Sequence, residues 1–522
     1  MIISVYLTFK TGALLMKNTK RLLVNTLILT ATTFLMRTIG VSFNIYLTNR
    51  IGAAGIGLFS LVTTVYSMAV TFSTAGLKLA ATRLVVEDNG RGLSNSPKIM
   101  RMCLLYGLFI GVVMACALAA GSKLIAQYWL GDMRTVSALR ILALSLPFVA
   151  MSSALSGYFT AERTISKYAV VQVIEQTVKI TVVVLTLSSQ LSRGLEFACD
   201  AIVAGMTASE AVSFLCSFVL FRITKQEKKL PMGEQKADFK ELLRIALPDA
   251  AGSCARSVLL TVEHLLIPVG FRKSGQSVEG AMAVYGTIHG MALPVILYPA
   301  AILTSLSSML VPEFAECCAQ KNNERIENMA ARVIKITMLF SLGTAGVMYA
   351  FADELSMCIY DNLDSAMYLR VLAPLLPIMY MDTTVDGILK GLDQQVYSMR
   401  YNIIDSAMCV VLVYILIPRY SVTGYIVILF VSEIINFYLS IRRLIKVCRL
   451  EIDLVNGILK PAICILGSFF LVRMLVSGAV DGKLILTAVI TFTSAVYLLF
   501  LTITGSVSGG DIKWFKSIFS RN

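Results

Sequence analysis

Charge is scarce in this 522-residue sequence: Asp, Glu, Lys and Arg together make up 15%, against about a quarter in soluble domains. That scarcity excludes a disordered chain, which would be polar and charge-rich. Histidine occurs only twice, and none of the eleven cysteines forms a CxxC pair, so the sequence offers no metal site. A Walker A loop, a GxSxG elbow and an HExxH helix are also missing, as is a loop-borne acidic cluster for glycosyl transfer. ATP as the direct energy source is thereby excluded. The sequence reads as a non-enzyme with no resident cofactor.

What it has in abundance is apolar residues, 57% of the chain, and a mean hydropathy of +0.75. About fourteen apolar windows are each long enough to cross a bilayer as a helix. The expectation is an all-α integral membrane protein with about 14 transmembrane helices and no sizeable soluble domain. The net charge of +14 sits mostly in short loops such as 222–240 and past the twelfth window, at Arg442, Arg443, Lys446 and Arg449. It follows membrane orientation rather than nucleic acid, with both termini cytoplasmic. Residues 1–15 lack a basic n-region and a cleavage site, so they are no signal peptide. Met16, followed by Lys17, Lys20 and Arg21, reads as the more natural start.

The chain also repeats itself. Residues 139–175 match 369–405: Leu139-Arg140 pairs with Leu369-Arg370, Leu146-Pro147 with Leu376-Pro377, Gly157 with Gly387, and Glu175 with Asp405. Ser209-Glu210 and Phe214 match Ser432-Glu433 and Phe437, and Arg37 matches Arg256. The matched windows run in the same direction, which implies a parallel repeat. Two pseudo-symmetric six-helix lobes are expected, 22–222 and 241–446, with two added helices at 456–505. A cavity between such lobes could open alternately to each side.

Charges inside apolar windows are costly and mark function or pairing. Arg37 and Arg256 lie deep in the first and seventh windows and suit a phosphate-bearing substrate; an ion pair with a neighbouring acid is the plainer reading. Lys78 lies nearer a helix end and could snorkel. His289, five residues before Pro294, could contact phosphate or hydrogen-bond a backbone carbonyl. Glu175 and Lys179 form an i,i+4 pair. With them, Glu210, Asp249, Glu263, Asp382, Asp386, Asp405 and Glu433 are candidates for Na⁺ or H⁺ coupling or for structural bonds. Pro294 and Pro299 predict kinks in the eighth window.

The segments Arg37-Thr38-Ile39-Gly40, Gly52 to Phe59, Phe72 to Leu77, Gln172 to Lys179 and Gly290 to Pro294 resemble the polysaccharide-flippase and stage V sporulation protein B group. That group lies in the exporter superfamily that holds the lipid II flippases and the multidrug and toxin extrusion (MATE) antiporters. The resemblance implies a fourteen-helix, V-shaped exporter in a bacterial cell membrane. It would flip a polyprenyl-pyrophosphate-linked glycan or peptidoglycan precursor for spore cortex or wall, by alternating access. By motif, Arg37 matches a cavity arginine of lipid II flippases. Two further arginines of that pattern fall on His289 and Phe43 here, a departure that weakens transfer of lipid II specificity, and Lys78 could replace a cation. Two other readings stay open: an ion-coupled antiporter of organic cations, and a non-transporting scaffold that partners wall-synthesis enzymes.

Overall fold

The computed structural model describes residues 2–90, 96–162, 164–191, 194–226, 239–448, 455–475 and 482–507, with side chains from residue 35 onward except 89–90, 165–167, 191, 225–226, 308–309, 312 and 319. Most of the basic 222–240 loop lies outside the described residues, as do the side chains around Met16, where the start-site question falls. Every regular element among the described residues is helical. The first half runs through α1 (Ile2–Thr74), α2 (Leu77–Gly90), α3 (Ser96–Leu124), α4 (Thr135–Ala143), α5 (Leu146–Ala161), α6 (Ile165–Leu191) and α7 (Leu195–Gln226). Next come α8 (Phe239–Lys273), α9 (Val278–Gly286), a π-helical turn Thr287–Ala292, α10 (Leu293–Leu297) and α11 (Ala300–Ala319). The chain ends with α12 (Asn323–Ala350), α13 (Ala352–Tyr360), α14 (Ala366–Leu372), α15 (Leu376–Gly391), α16 (Gln395–Val447), α17 (Lys460–Leu475) and α18 (Lys483–Ile503).

Among the described residues, 10 helices are long and apolar enough to span a membrane, or 11 with α4 and α5 counted as one bent span. The windows outnumber the helices because α1 and α16 each hold two windows, while the fourth falls on the bent pair α4 and α5 and the tenth on the short helices α14 and α15. The first two windows share α1, broken at Gly52 (φ 70°, ψ 176°), a conformation open essentially to glycine. The eleventh and twelfth share α16, broken at Ser421 (φ 50°, ψ −130°) three residues after Pro418. The chain is a multi-pass membrane protein.

The helices group into two compact units, residues 24–36 with 51–286 and residues 1–23 with 37–50 and 287–522. These units are cut differently from the lobes 22–222 and 241–446. Leu242 and Ala246 of α8 join the buried cluster of α2, α3, α5 and α7, so α8 groups with the earlier helices. Residues 37–50 of α1 instead bond to the segment after Thr287.

Inside each unit the repeat is visible as packing. Both α5 and α15 begin on the Leu-Pro pair, each 16 residues long, with proline in the first turn where its missing N–H is harmless. Their matched glycines sit at close approaches. A Cβ on Gly157 would lie 2.6 Å from the Lys78 carbonyl of α2, and one on Gly387 2.7 Å from Cβ of Ser307 in α11. Small residues at such crossings let membrane helices gain dispersion contacts, since lipid provides no hydrophobic drive between them. The added pair α17 and α18 packs on α12 and α13. Tyr497 Oη donates to the Leu339 carbonyl at 2.9 Å, and Arg473 Nη2 meets Glu354 Oε1 at 2.8 Å.

Candidate functional site

The eighth apolar window is broken, and its breaks organise the polar chemistry of one unit. Pro294 has no N–H for the carbonyl four residues back, Gly290. Asn44 Nδ2 of α1 donates to that carbonyl at 2.7 Å. Past α10 the chain tightens: the Ala301 N–H bonds Tyr298, three residues back, which turns it away from the Leu297 carbonyl. Arg37 Nη2 donates to Leu297 O at 2.8 Å. Tyr360 Oη donates to Met291 O at 3.0 Å and Tyr380 Oη to Ile296 O at 2.5 Å. Four side chains from α1, α13 and α15 thus satisfy carbonyls of one interrupted helix. In hydrocarbon each such group left unsatisfied would cost several kcal/mol.

Two sequence-predicted residues meet here. Arg37 is half-buried and bonded to a backbone carbonyl, with no ion pair to a carboxylate among the described residues. The carbonyl end of a short helix suits a cation, because helix C-termini carry partial negative charge. His289 lies on the π turn, with Nε2 2.6 Å from Tyr425 Oη. Lys78 and Arg256 belong to the other unit and are both exposed. Asn44, Tyr360, Tyr380 and Tyr425 were not among the sequence candidates. The prolines signalled the breaks, but nothing local says which distant side chains fill them.

The acids fall into two repeat-related groups. In one unit Ser213 Oγ donates to Glu175 Oε2 at 2.7 Å, and Glu175, Lys179 and Glu210 act on one another electrostatically. In the other, Ser432 Oγ donates to Asp405 Oδ1 at 2.8 Å and Asn436 Nδ2 to Asp382 Oδ2 at 3.0 Å. The charges acting on Glu433 there are those of Asp382 and Asp405. Glu175 reaches a serine one turn beyond the repeat partner of Ser432, as its extra methylene allows. Asp386 Oδ1 accepts from Ser398 Oγ at 2.6 Å. Asp249 is exposed, and Glu263 acts on Tyr285, whose hydroxyl lies 3.0 Å from His264 Nδ1. Among the described residues no three His, Cys, Asp or Glu side chains converge as a metal-ion site.

Outside the spans, Asp132 and Arg134 form a fork on the turn between α3 and α4. Nε and Nη2 of Arg134 donate to the carboxylate at 2.7 to 3.0 Å, and its backbone N–H donates at 2.9 Å. Burial pushes the Asp132 carboxyl up, but the bonds from Arg134 outweigh it and hold it below the usual aspartate range.

Comparison with known families supports this architecture. A family model described as polysaccharide biosynthesis protein matches residues 22–317. The chain belongs to that family. A second model, MatE, matches 279–415, which places the family within the wider exporter superfamily expected from the resemblance. Stage V sporulation protein B of Bacillus subtilis (strain 168) is 24% identical over 503 residues, covering 94% of this chain and 97% of that protein. The lipid II flippase MurJ of the same organism is 27% identical over 169 residues, 31% of each chain. A solved lipid II flippase MurJ in an inward closed conformation shares the fold, with TM-score 0.71 at 14% identity over 91% of this chain and 98% of that one. The family member is a membrane flippase or transporter.

Proposed function

We propose that this flippase moves a lipid-linked, pyrophosphate-bearing glycan or peptidoglycan precursor from the cytoplasmic to the outer leaflet by alternating access, for spore cortex or wall synthesis. The observation that carries the reading is Arg37: a guanidinium inside a membrane span, held on the Leu297 carbonyl. An arginine that spends one N–H on a carbonyl retains donors in fork geometry for phosphate oxygens. His289 on the adjoining π turn would share the headgroup charge. One relative, a lipid II flippase, supports the class of substrate by its name, and another, a stage V sporulation protein, supports the link to sporulation.

The tail need not leave the lipid; only the charged head has to cross, and the basic residues reduce that cost. Na⁺ or H⁺ taken up at Asp382, Asp405 and Glu433 would bias the cycle. Alternatively, the membrane potential would act on fixed charge, at about 2.3 kcal/mol per charge per 100 mV. The termini face the cytoplasm of a bacterial cell in this reading.

The test is a leaflet-accessibility assay with the protein in vesicles and a panel of polyprenyl-pyrophosphate glycans. Arg37→Ala should lower the flipping rate more than tenfold while the protein stays folded; an unchanged rate sinks the reading. The MatE match and the acid group on α15 and α16 favour one other reading, an organic-cation antiporter. Drug-resistance assays in an efflux-deficient strain separate the two.

A further inference from the structure

Outside the polar core, α3 and α8 flank an open groove of about 450 Å³ that no part of the proposed cycle uses. Its wall on α3 is one stripe at helical spacing: Lys98 and Arg101 at the water-facing end, then Leu105, Tyr106 and Phe109 deeper in the span. Phe239, the first residue of α8, closes the opposite side, its ring 6.0 Å from Tyr106 and tilted by 66° in an edge-to-face contact. Lys98 and Arg101 are exposed, and Arg101 makes no hydrogen bond or ion pair among the described residues. Along the stripe, cationic residues at the helix end give way to apolar ones inside the span, the order of charged phosphate and then acyl chain in a phospholipid. Snorkelling lysine and arginine alone would need no groove between two helices beside them. This one falls within the size range of small-molecule sites.

We propose that the cleft between α3 and α8 is a binding site for one anionic phospholipid. Its phosphodiester lies between Lys98 and Arg101, and an acyl chain lies along Leu105 and Phe109 under the Tyr106–Phe239 edge. The inference requires only that the chain spans a bilayer, so it stands or falls apart from the flipping reaction.

Detergent-purified full-length protein titrated with phosphatidylglycerol or phosphatidylcholine, and followed by native mass spectrometry, tests it. One phosphatidylglycerol should be retained in preference to phosphatidylcholine. The double variant Lys98→Gln/Arg101→Gln should weaken that retention about tenfold or more. Neutralising two exposed basic residues elsewhere, Arg442→Gln/Lys446→Gln, should leave it unchanged. Phe239→Ala should weaken binding with every charge in place. Inorganic phosphate should not displace the lipid, since a free ion lacks the chain. Should the double variant fail to fold, the single Arg101→Gln variant carries the same comparison. Equal retention of both lipids, equal loss in the Arg442/Lys446 control, displacement by phosphate or a preference for a polyprenyl phosphate would each overturn the proposal.

Discussion

Arg37 does two things that substitution can separate. Its bond to Leu297 O satisfies a carbonyl of the broken helix, and its charge is the proposed contact for phosphate. Arg37→Lys keeps the charge on a shorter reach and loses the fork, whereas Arg37→Ala loses everything. Thermal unfolding in detergent should show the alanine variant destabilised by about 1–3 kcal/mol, the cost of an unpaired buried polar group. Flipping should fall in the order wild type, lysine, alanine; if the lysine variant flips no better than alanine, geometry outweighs charge. Asn44 offers a cleaner case, because the donor it replaces was removed by Pro294. Asn44→Ala should cost about 1–3 kcal/mol. Adding Pro294→Ala restores an N–H for Gly290 O and should recover part of the loss. Simple additivity of the two changes, measured by thermal unfolding, would contradict this account.

At the scale of elements, the repeat places glycine where helices touch. Gly157→Val and Gly387→Val each push side-chain atoms into a neighbour already 2.6 or 2.7 Å from the new Cβ. Overpacking of this kind costs about 1–3 kcal/mol, and each should lower the unfolding temperature. Gly457→Ala, on a π turn with nothing within 4 Å, should change little and serves as the control. The turn after α3 has a pH signature. Asp132 is held below its ordinary range by Arg134, so it stabilises the turn at pH above the unfolded value near about 4 and loses that contribution as pH falls through the folded value. Unfolding of wild type and Asp132→Asn should therefore converge in acid and separate near neutrality. A constant gap across pH would mean that the fork is not the cause.

For the whole molecule, the two acid groups are repeat partners with different charge balance. Lys179 stands with Glu175 and Glu210 in one unit, while Asp382 and Asp405 act on Glu433 in the second. Carboxylates crowded together hold protons or cations more readily than acids shared with an ammonium. Glu433→Gln should therefore change the Na⁺ or pH dependence of transport more than Glu210→Gln does. Transport in vesicles with imposed ion gradients measures this, and equal effects would remove the coupling role from α15 and α16.

The all-helical membrane class was legible from apolar content and span length, because a bilayer admits few other ways to pair every backbone group. The repeat was legible too, since Leu-Pro helix starts, contact glycines and acids inside the spans are constraints that act within a short stretch of chain. Tertiary structure alone decided where those stretches meet. No window reveals that α1 would supply Arg37 and Asn44 to carbonyls more than two hundred residues away. Nor does one show that two pairs of windows would run on as single broken helices, or that α8 would pack with the helices before it. A proline announces that a carbonyl has lost its donor; only the packed fold determines which side chain arrives to replace it.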